Sequence, residues 1–258
     1  MTAAPLNLPE LLTGLVPLAR AAGEVVMDIY ATDFDVERKG DDSPVTVADQ
    51  RAEQVILAGL QRLAPTVPVV AEEEVAAGRI PDVSDRFFLV DPLDGTKEFI
   101  NRNGEFTVNI ALVERGVPVL GVVYAPAIGR LFAGALGAGA WVEDVRCRRP
   151  IGTRAVPAEG LTVVASRLHG DEAALDAFLA GRPVASRTNA GSSLKLCLVA
   201  EGAADVYPRF GRTMEWDIAA GDAVLRAAGG LVTTLAGAPL GYGKPGFENP
   251  HFVAWGRI

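Results

Sequence analysis

The stretch Val90-Asp-Pro-Leu-Asp-Gly-Thr-Lys-Glu-Phe99 follows the apolar run Phe87-Phe88-Leu89-Val90 and places two carboxylates three residues apart around a proline. The run reads as a buried strand ending at Val90. Pro92 fixes its φ and discourages continuation of the ladder, and Gly95 permits a tight turn. A strand end of this kind can point Asp91, Asp94 and the Leu93 carbonyl into one small space. Oxygen-only donors suit hard cations, Mg²⁺ above all. A turn in which both aspartates merely accept backbone N–H bonds is an equal reading of the isolated hexapeptide.

Composition limits the alternatives. The chain has 258 residues, 49% hydrophobic and 22% charged, with 24 Lys and Arg against 32 Asp and Glu, a net charge of −8. That profile is globular, and a chain so acidic is a poor partner for a nucleic-acid polymer or an anionic membrane. An anionic substrate would need a local reversal of the field, which a bound divalent cation can supply. The two cysteines, Cys147 and Cys197, have no metal-ligand spacing and read as reduced core thiols of a cytoplasmic protein. No signal peptide and no transmembrane run is visible. Walker A and EF-hand registers are missing, and Gly137-Ala-Gly139 reads as a turn.

Working outward from the aspartates, Leu8 to Tyr30 carries one apolar stripe and predicts a helix. A short alternating piece follows at Phe34–Lys39, and Thr46 opens a second helix to about Leu63. Val69-Val70 predicts a strand broken by Glu72-Glu73-Glu74. Phe106–Glu114 and Val119–Tyr124 flank Arg115-Gly116 as a hairpin, continued by Leu131–Ala135 and Ala140–Val145. Beyond about residue 155, strands at 161–165, 184–186, 204–207, 231–235 and 252–255 alternate with helices at 171–180, 192–201 and 217–228. That alternation predicts layered α/β.

Other acidic positions sit at element ends. Asp49 lies three residues after Thr46, the spacing of a capping box, and Asp217 opens a helix as an N-cap would. The three glutamates fit a solvated loop. Each has a local explanation, yet a fold that gathers them makes one metal cluster.

VDPLDGTKEF together with Trp216-Asp-Ile-Ala-Ala-Gly221 and Ala228-Gly-Gly230 resembles the paired signatures of the inositol monophosphatase superfamily. Asp42-Ser-Pro-Val-Thr-Val-Ala-Asp49, Lys97–Ile110, Gly191-Ser-Ser-Leu-Lys195 and Asp205-Val-Tyr-Pro-Arg-Phe210 resemble its branch of bacterial CysQ-type 3′(2′),5′-bisphosphate nucleotidases. The resemblance spans about residues 39–230. It departs at Ala71, where Gly or Ser often precedes the glutamates, and in a third glutamate.

The resemblance implies an α/β (α+β) sugar-phosphatase fold, a layered α-β-α-β-α sandwich. One unit over 1–258 would have a metal-site lobe to about residue 150 and a substrate lobe beyond it. It implies Mg²⁺, two or three per site, held by Glu72, Asp91, Asp94, Asp217 and the Leu93 carbonyl. Asp49 and Thr96, with Glu72, would activate the attacking water. Asp94, Gly95, Thr96, His169, Ser192, Lys195, Arg209 and Asp217 would contact substrate. For Lys195 a snorkelling helix lysine, for Arg209 a surface strand residue and for His169 a plain loop histidine are the local alternatives. The implied reaction takes adenosine 3′,5′-bisphosphate to AMP and phosphate, and the 5′-phosphosulfate analogue to adenosine 5′-phosphosulfate and phosphate, in sulfate assimilation, with lithium inhibition. Peripheral association with the inner membrane is implied as well. An inositol or sugar monophosphatase on the same centre and a non-catalytic nucleotide or metal sensor remain the alternatives. Sequence does not choose between monomer and homodimer.

Overall fold

The strand bearing Asp91 does not stop at Val90. In the computed structural model, which describes residues 6–33, 36–38, 44–166 and 171–257, it runs on through Pro92 to Asp94. Helix α1 (Leu8–Tyr30) precedes β1 (Val36–Arg38), β2 (Pro44–Thr46), α2 (Val47–Leu63), β3 (Val69–Ala71), α3 (Glu72–Ala76), β4 (Arg86–Asp94) and α4 (Thr96–Ile100). Strands β5 (Thr107–Glu114), β6 (Val117–Ala125), β7 (Arg130–Ala135), β8 (Gly139–Glu143) and β9 (Arg148–Ile151) complete the first half. The second half holds β10 (Leu161–Ser166), α5 (Glu172–Leu179), β11 (Val184–Ala190), α6 (Leu194–Ala200), β12 (Val206–Arg209), α7 (Glu215–Ala227), β13 (Leu231–Thr234) and β14 (Phe252–Trp255).

Two sheets form the frame. The larger is ordered β3-β4-β5-β6-β7-β8-β9 and the smaller β11-β10-β12-β14-β13. The large sheet is antiparallel except for β3 on β4. One of its faces is covered by α1 and α2, whose stripe of Leu15, Ala19, Val26 and Ile56 packs on Val90, Ile110 and Val122. Its other face meets α6 and α7, through Leu196, Ala220 and Val224 against Leu89, Val123 and Phe132. The small sheet closes the far side of α6, and α5 lies outside it through Leu179 on Leu161 and Val206. The layers are therefore α-β-α-β-α, as expected, with α6 and α7 in the middle. Gly121 permits that middle contact, since a Cβ there would lie 2.3 Å from the Ala220 carbonyl oxygen.

The continuation of β4 has a physical cause. Asp91 pairs with Asn109 and Asp94 with Thr107, so three steps on β4 face two on β5. This is a bulge, and Pro92 sits inside it, where its missing N–H takes nothing from the ladder. Residues three apart on a regular strand point to opposite faces. The extra residue returns Asp94 to the α7 side, where Asp91 already points.

Other differences are local. Glu72–Glu74 open a short helix rather than a loop. Asp217 is the third residue of α7, not its N-cap, since α7 starts at Glu215. Cys147 is exposed while Cys197 is buried and both are free thiols. Cys147 sits in the turn before β9, where its N–H and that of Arg146 bind Asp144. Strand β9 was not expected from its basic sequence. Among the described residues no helix is long and apolar enough to cross a membrane.

Candidate active site

A cavity of about 260 Å³ lies between the bulged end of β4 and the N-terminal ends of α6 and α7. Glu72, Asp91, Leu93, Asp94, Gly95, Thr96, Ser192, Lys195, Arg209 and Asp217 all line it. Nearly every expected site residue is thus brought together from distant sequence. Asp49 does not line the cavity but reaches it through Thr96. His169 lies outside the described residues.

Asp91 is 2% exposed and its Oδ1 accepts the Leu93 N–H at 3.0 Å. Asp94 Oδ2 accepts the Ser193 N–H at 2.6 Å and the Asn109 amide at 3.3 Å. Asp217 Oδ2 accepts the Met214 N–H at 2.8 Å, which fixes it at the start of α7. Burial, then the charges of Glu72, Asp94 and Asp217, raises the Asp91 pKa well above the usual range, and Asp91 also shares a hydrogen bond with Glu72. Asp217 is raised by burial and then by Asp94 and Glu72. Burial lifts Asp94 to about 6, with the Lys195 charge opposing and Glu98 adding.

These carboxylates are in each other's field with too few cations. Among the described residues no three His, Cys, Asp or Glu side chains close into a finished ligand cage. The chemistry of the set nevertheless fits a hard divalent ion: all donors are oxygen, they line one cavity, and Asp91 is hydrogen-bonded to Glu72 where a cation would relieve the crowding of charge. The main-chain turn at Gly95, with φ 91°, lets the chain pass close to Ser192, whose Cβ would be 3.4 Å from a Cβ at Gly95.

Asp49 is 1% exposed and is the acceptor of both the N–H and the hydroxyl of Thr46, each at 2.8 Å. Thr46 Oγ1 in turn caps Ala48 N–H at 3.1 Å, so the expected capping box is present. The second oxygen of Asp49 lies 3.4 Å from Thr96 Oγ1, which is also 3.3 Å from the Leu93 carbonyl. Burial pushes Asp49 up to about 7, against the Thr46 bonds, with Glu72 and Glu73 adding to the rise.

The opposite wall is cationic. Lys195 is buried rather than snorkelling, and its Nζ donates to Ser192 O at 2.7 Å and Ala190 O at 3.3 Å beneath the Tyr207 ring. Burial lowers Lys195 to about 8, with the Asp94 charge opposing and Arg209 adding. Arg209 is 8% exposed, not a surface residue, and donates to Arg212 O at 3.0 Å. Ser192 adopts φ 45° and its buried Oγ has no hydrogen-bond partner among the described residues. Its hydroxyl is thus left for a group bound in the cavity, and its backbone strain is held by the surrounding structure.

Asn109 and Ser193 were not singled out from sequence. Asn109 is fully buried, and its amide reaches Asp94 Oδ2, Ser193 Oγ at 3.1 Å and Asp217 O at 3.4 Å. Ser193 Oγ donates to Asp217 O at 2.5 Å. The pair ties the large sheet to α6 and α7 behind the carboxylates. A polar Asn in the middle of the apolar strand Thr107–Glu114 is the signal that could have found it.

With this geometry established, similarity to known proteins gives the class. A model of the inositol monophosphatase family matches residues 7–255, and the chain belongs to that family, whose enzymes use divalent metal ions. Among curated relatives, the 3′(2′),5′-bisphosphate nucleotidase CysQ of Escherichia coli strain K12 is 50% identical over 238 residues, 91% of this chain and 95% of that protein. The CysQ nucleotidase of Buchnera aphidicola is 42% identical over 251 residues, 95% of this chain and 93% of that protein. Among solved structures, CysQ from Bacteroides thetaiotaomicron superposes with a TM-score of 0.81 at 38% identity, covering 98% of this chain and all of that one. An inositol monophosphatase from Anabaena superposes with a TM-score of 0.77 at 28% identity, covering 98% and 92%.

Proposed function

We propose that this chain is a Mg²⁺-dependent phosphoric monoester hydrolase, a 3′(2′),5′-bisphosphate nucleotidase. Its substrate is adenosine 3′,5′-bisphosphate, hydrolysed to AMP and phosphate, and the 3′-phosphate of the 5′-phosphosulfate analogue is removed in the same way to leave adenosine 5′-phosphosulfate. The carrying observation is one cavity with the carboxylates of Glu72, Asp91, Asp94 and Asp217 on one wall and the buried Lys195 and Arg209 on the other. Half-identity to bisphosphate nucleotidases over nine tenths of the chain supports the same reading.

Glu72, Asp91, Asp94, Asp217 and the Leu93 carbonyl would hold two Mg²⁺, and Glu72 would take part in holding a third. Such ions supply charge neutralisation for the attacking and leaving oxygens and acidify water. Asp49 would accept a proton by way of the Thr96 hydroxyl beside it, and its rise to about 7 through burial suits a base working near neutrality. Gly95 and Thr96 present backbone N–H groups to the scissile phosphate. Ser192, Lys195 and Arg209 bind the phosphate that is not cleaved, and His169 belongs with them on resemblance alone. Two fixed cations favour a doubly phosphorylated substrate over an inositol monophosphate. The site serves a small molecule, not a nucleic-acid polymer, and we assign it to the cytoplasm, in sulfate assimilation. Peripheral membrane attachment finds no support and forms no part of the proposal.

The test is phosphate release from adenosine 3′,5′-bisphosphate, inositol monophosphate and fructose bisphosphate side by side. The nucleotide should give the highest kcat/KM. Preference for either other substrate would overturn the assignment.

A further inference from the structure

Helix α2 presents two buried carboxylates one turn apart. Asp49 is 1% exposed and Glu53 is 3% exposed. Residues four apart share one helix face, so both leave α2 on the same side. Asp49 reaches Thr96, as described. Glu53 reaches elsewhere: its Oε2 accepts the backbone N–H of Glu73 at 2.8 Å.

That bond falls at the start of α3, the five-residue helix that begins with Glu72. Ala71, at the N-cap position, makes no side-chain capping bond. The first N–H groups of a helix have no partner within it and need acceptors from outside. Here an acceptor comes from another helix, 20 residues earlier. A helix of five residues has little stability of its own, so its placement depends on such anchors. Helix α2 is a firm base for one, packed on α1 and β4.

The consequence falls on Glu72. It is the neighbour of the anchored N–H, and its side chain meets Asp91. We propose that Glu53 is a positioning residue: by holding the Glu73 N–H it sets the place of α3 and aims Glu72 at the carboxylate cluster. One helix then orients both the Asp49–Thr96 pair and Glu72. The inference rests on reading Glu72 as a ligand of the divalent ion.

The test compares full-length wild type, Glu53→Ala, Glu53→Gln, Glu53→Asp, Glu72→Gln and the double variant Glu53→Ala/Glu72→Gln. Each metal-free protein is titrated with Mg²⁺ while its unfolding temperature is followed. Then kcat and KM for the bisphosphate nucleotide are measured at saturating Mg²⁺. Partners behind metal ligands typically carry 10–100-fold in metal affinity, so Glu53→Ala should move the Mg²⁺ midpoint upward by roughly tenfold or more. It should lower kcat while KM changes less than about twofold. Glu53→Gln keeps a carbonyl oxygen for the same N–H and should stay within about threefold of wild type. Glu53→Asp keeps the charge but falls one methylene short, and should behave as the alanine variant does. That arm decides the matter where the alanine variant fails to fold.

In the Glu72→Gln background the alanine change should add almost nothing, because two residues acting through one ligand are not additive. An equal midpoint in all Glu53 variants, or the same factor in both backgrounds, would overturn the inference while leaving the metal site intact. A wild-type protein whose unfolding ignores Mg²⁺ would remove both readings together.

Discussion

Thr96 Oγ1 lies 3.4 Å from Asp49 Oδ1, across 47 residues of sequence. The opposite oxygen of the same carboxylate closes the capping box at the start of α2. One residue therefore serves fold and chemistry with different atoms, and the two can be separated. Asp49→Asn keeps a carbonyl oxygen for Thr46 but cannot accept a proton. We expect kcat to fall roughly 10²–10⁴-fold, the range of general acid–base contributions, with KM within a few fold. Steady-state kinetics beside a circular-dichroism melt will check it. A normal rate would leave Asp49 a cap only.

Asp94 is held by Ser193 N–H and Asn109 and is raised to about 6 chiefly by burial. Asp94→Asn preserves an acceptor for both donors and removes a charge from a crowded site. The variant should lose about 10²-fold or more in kcat. Its metal-free form should melt at the same temperature as wild type or slightly higher, because carboxylate repulsion is relieved. Phosphate release and calorimetry on the same preparation give both numbers, and an active variant would make Asp94 a turn residue.

Removal of metal gives the coarsest prediction. Chelation should abolish phosphate release and Mg²⁺ should restore it, since the candidate ligands are all oxygens. Lithium should inhibit the restored enzyme. Full turnover in chelator would end the metal-dependent reading.

The sequence exposed a good part of this. The stripe of α1, the Thr46 start of α2 and the Arg115-Gly116 hairpin are local patterns, and each lies where its pattern put it. The carboxylates were visible because carboxylates beside apolar strands are unusual. What local pattern could not show was register. The bulge at Pro92 depends on which residues of β5 lie opposite, and that is decided by pairing over long range. For the same reason Asn109 looked like one more strand residue, and Glu53 like one more charge on a helix. Cys147 and Cys197 were read alike because burial of a small residue depends on its neighbours. The length of α3 was hidden too, since three adjacent glutamates fit loop and first turn equally.

Glu53 also sets a pH dependence. Burial first, then the charges of Glu73, Glu74 and Glu72, raises it from 4.5 to about 7, while the Glu73 N–H bond opposes the rise. The folded state therefore holds a proton that the unfolded state releases. Its contribution is fully present below pH 4.5 and is lost as pH rises through about 7. At about 1.4 kcal/mol per pKa unit the loss approaches about 3–4 kcal/mol on the alkaline side. Glu53→Gln removes this titration. The metal-free variant should gain on wild type in unfolding temperature between pH 5 and pH 8, and parallel curves would refute the assignment.

Lys195 separates specificity from chemistry. Its ammonium uses two donors on Ser192 O and Ala190 O, so it holds the strained Ser192 turn as well as offering charge to the cavity. A contact to the phosphate that is not cleaved is similar in ground and transition states, so its loss falls on KM more than on kcat. A charged hydrogen bond is worth about 1.5–3 kcal/mol, which is roughly a ten- to hundredfold loss in kcat/KM. Lys195→Ala should show that loss with adenosine 3′,5′-bisphosphate. With inositol monophosphate, however slowly it is turned over, the variant should change little, because no second phosphate is there to miss the lysine. The two substrates are compared on one protein, so partial misfolding cannot imitate the difference. Equal losses on both would place Lys195 with the scaffold of the Ser192 turn or with Asp94, whose charge it faces.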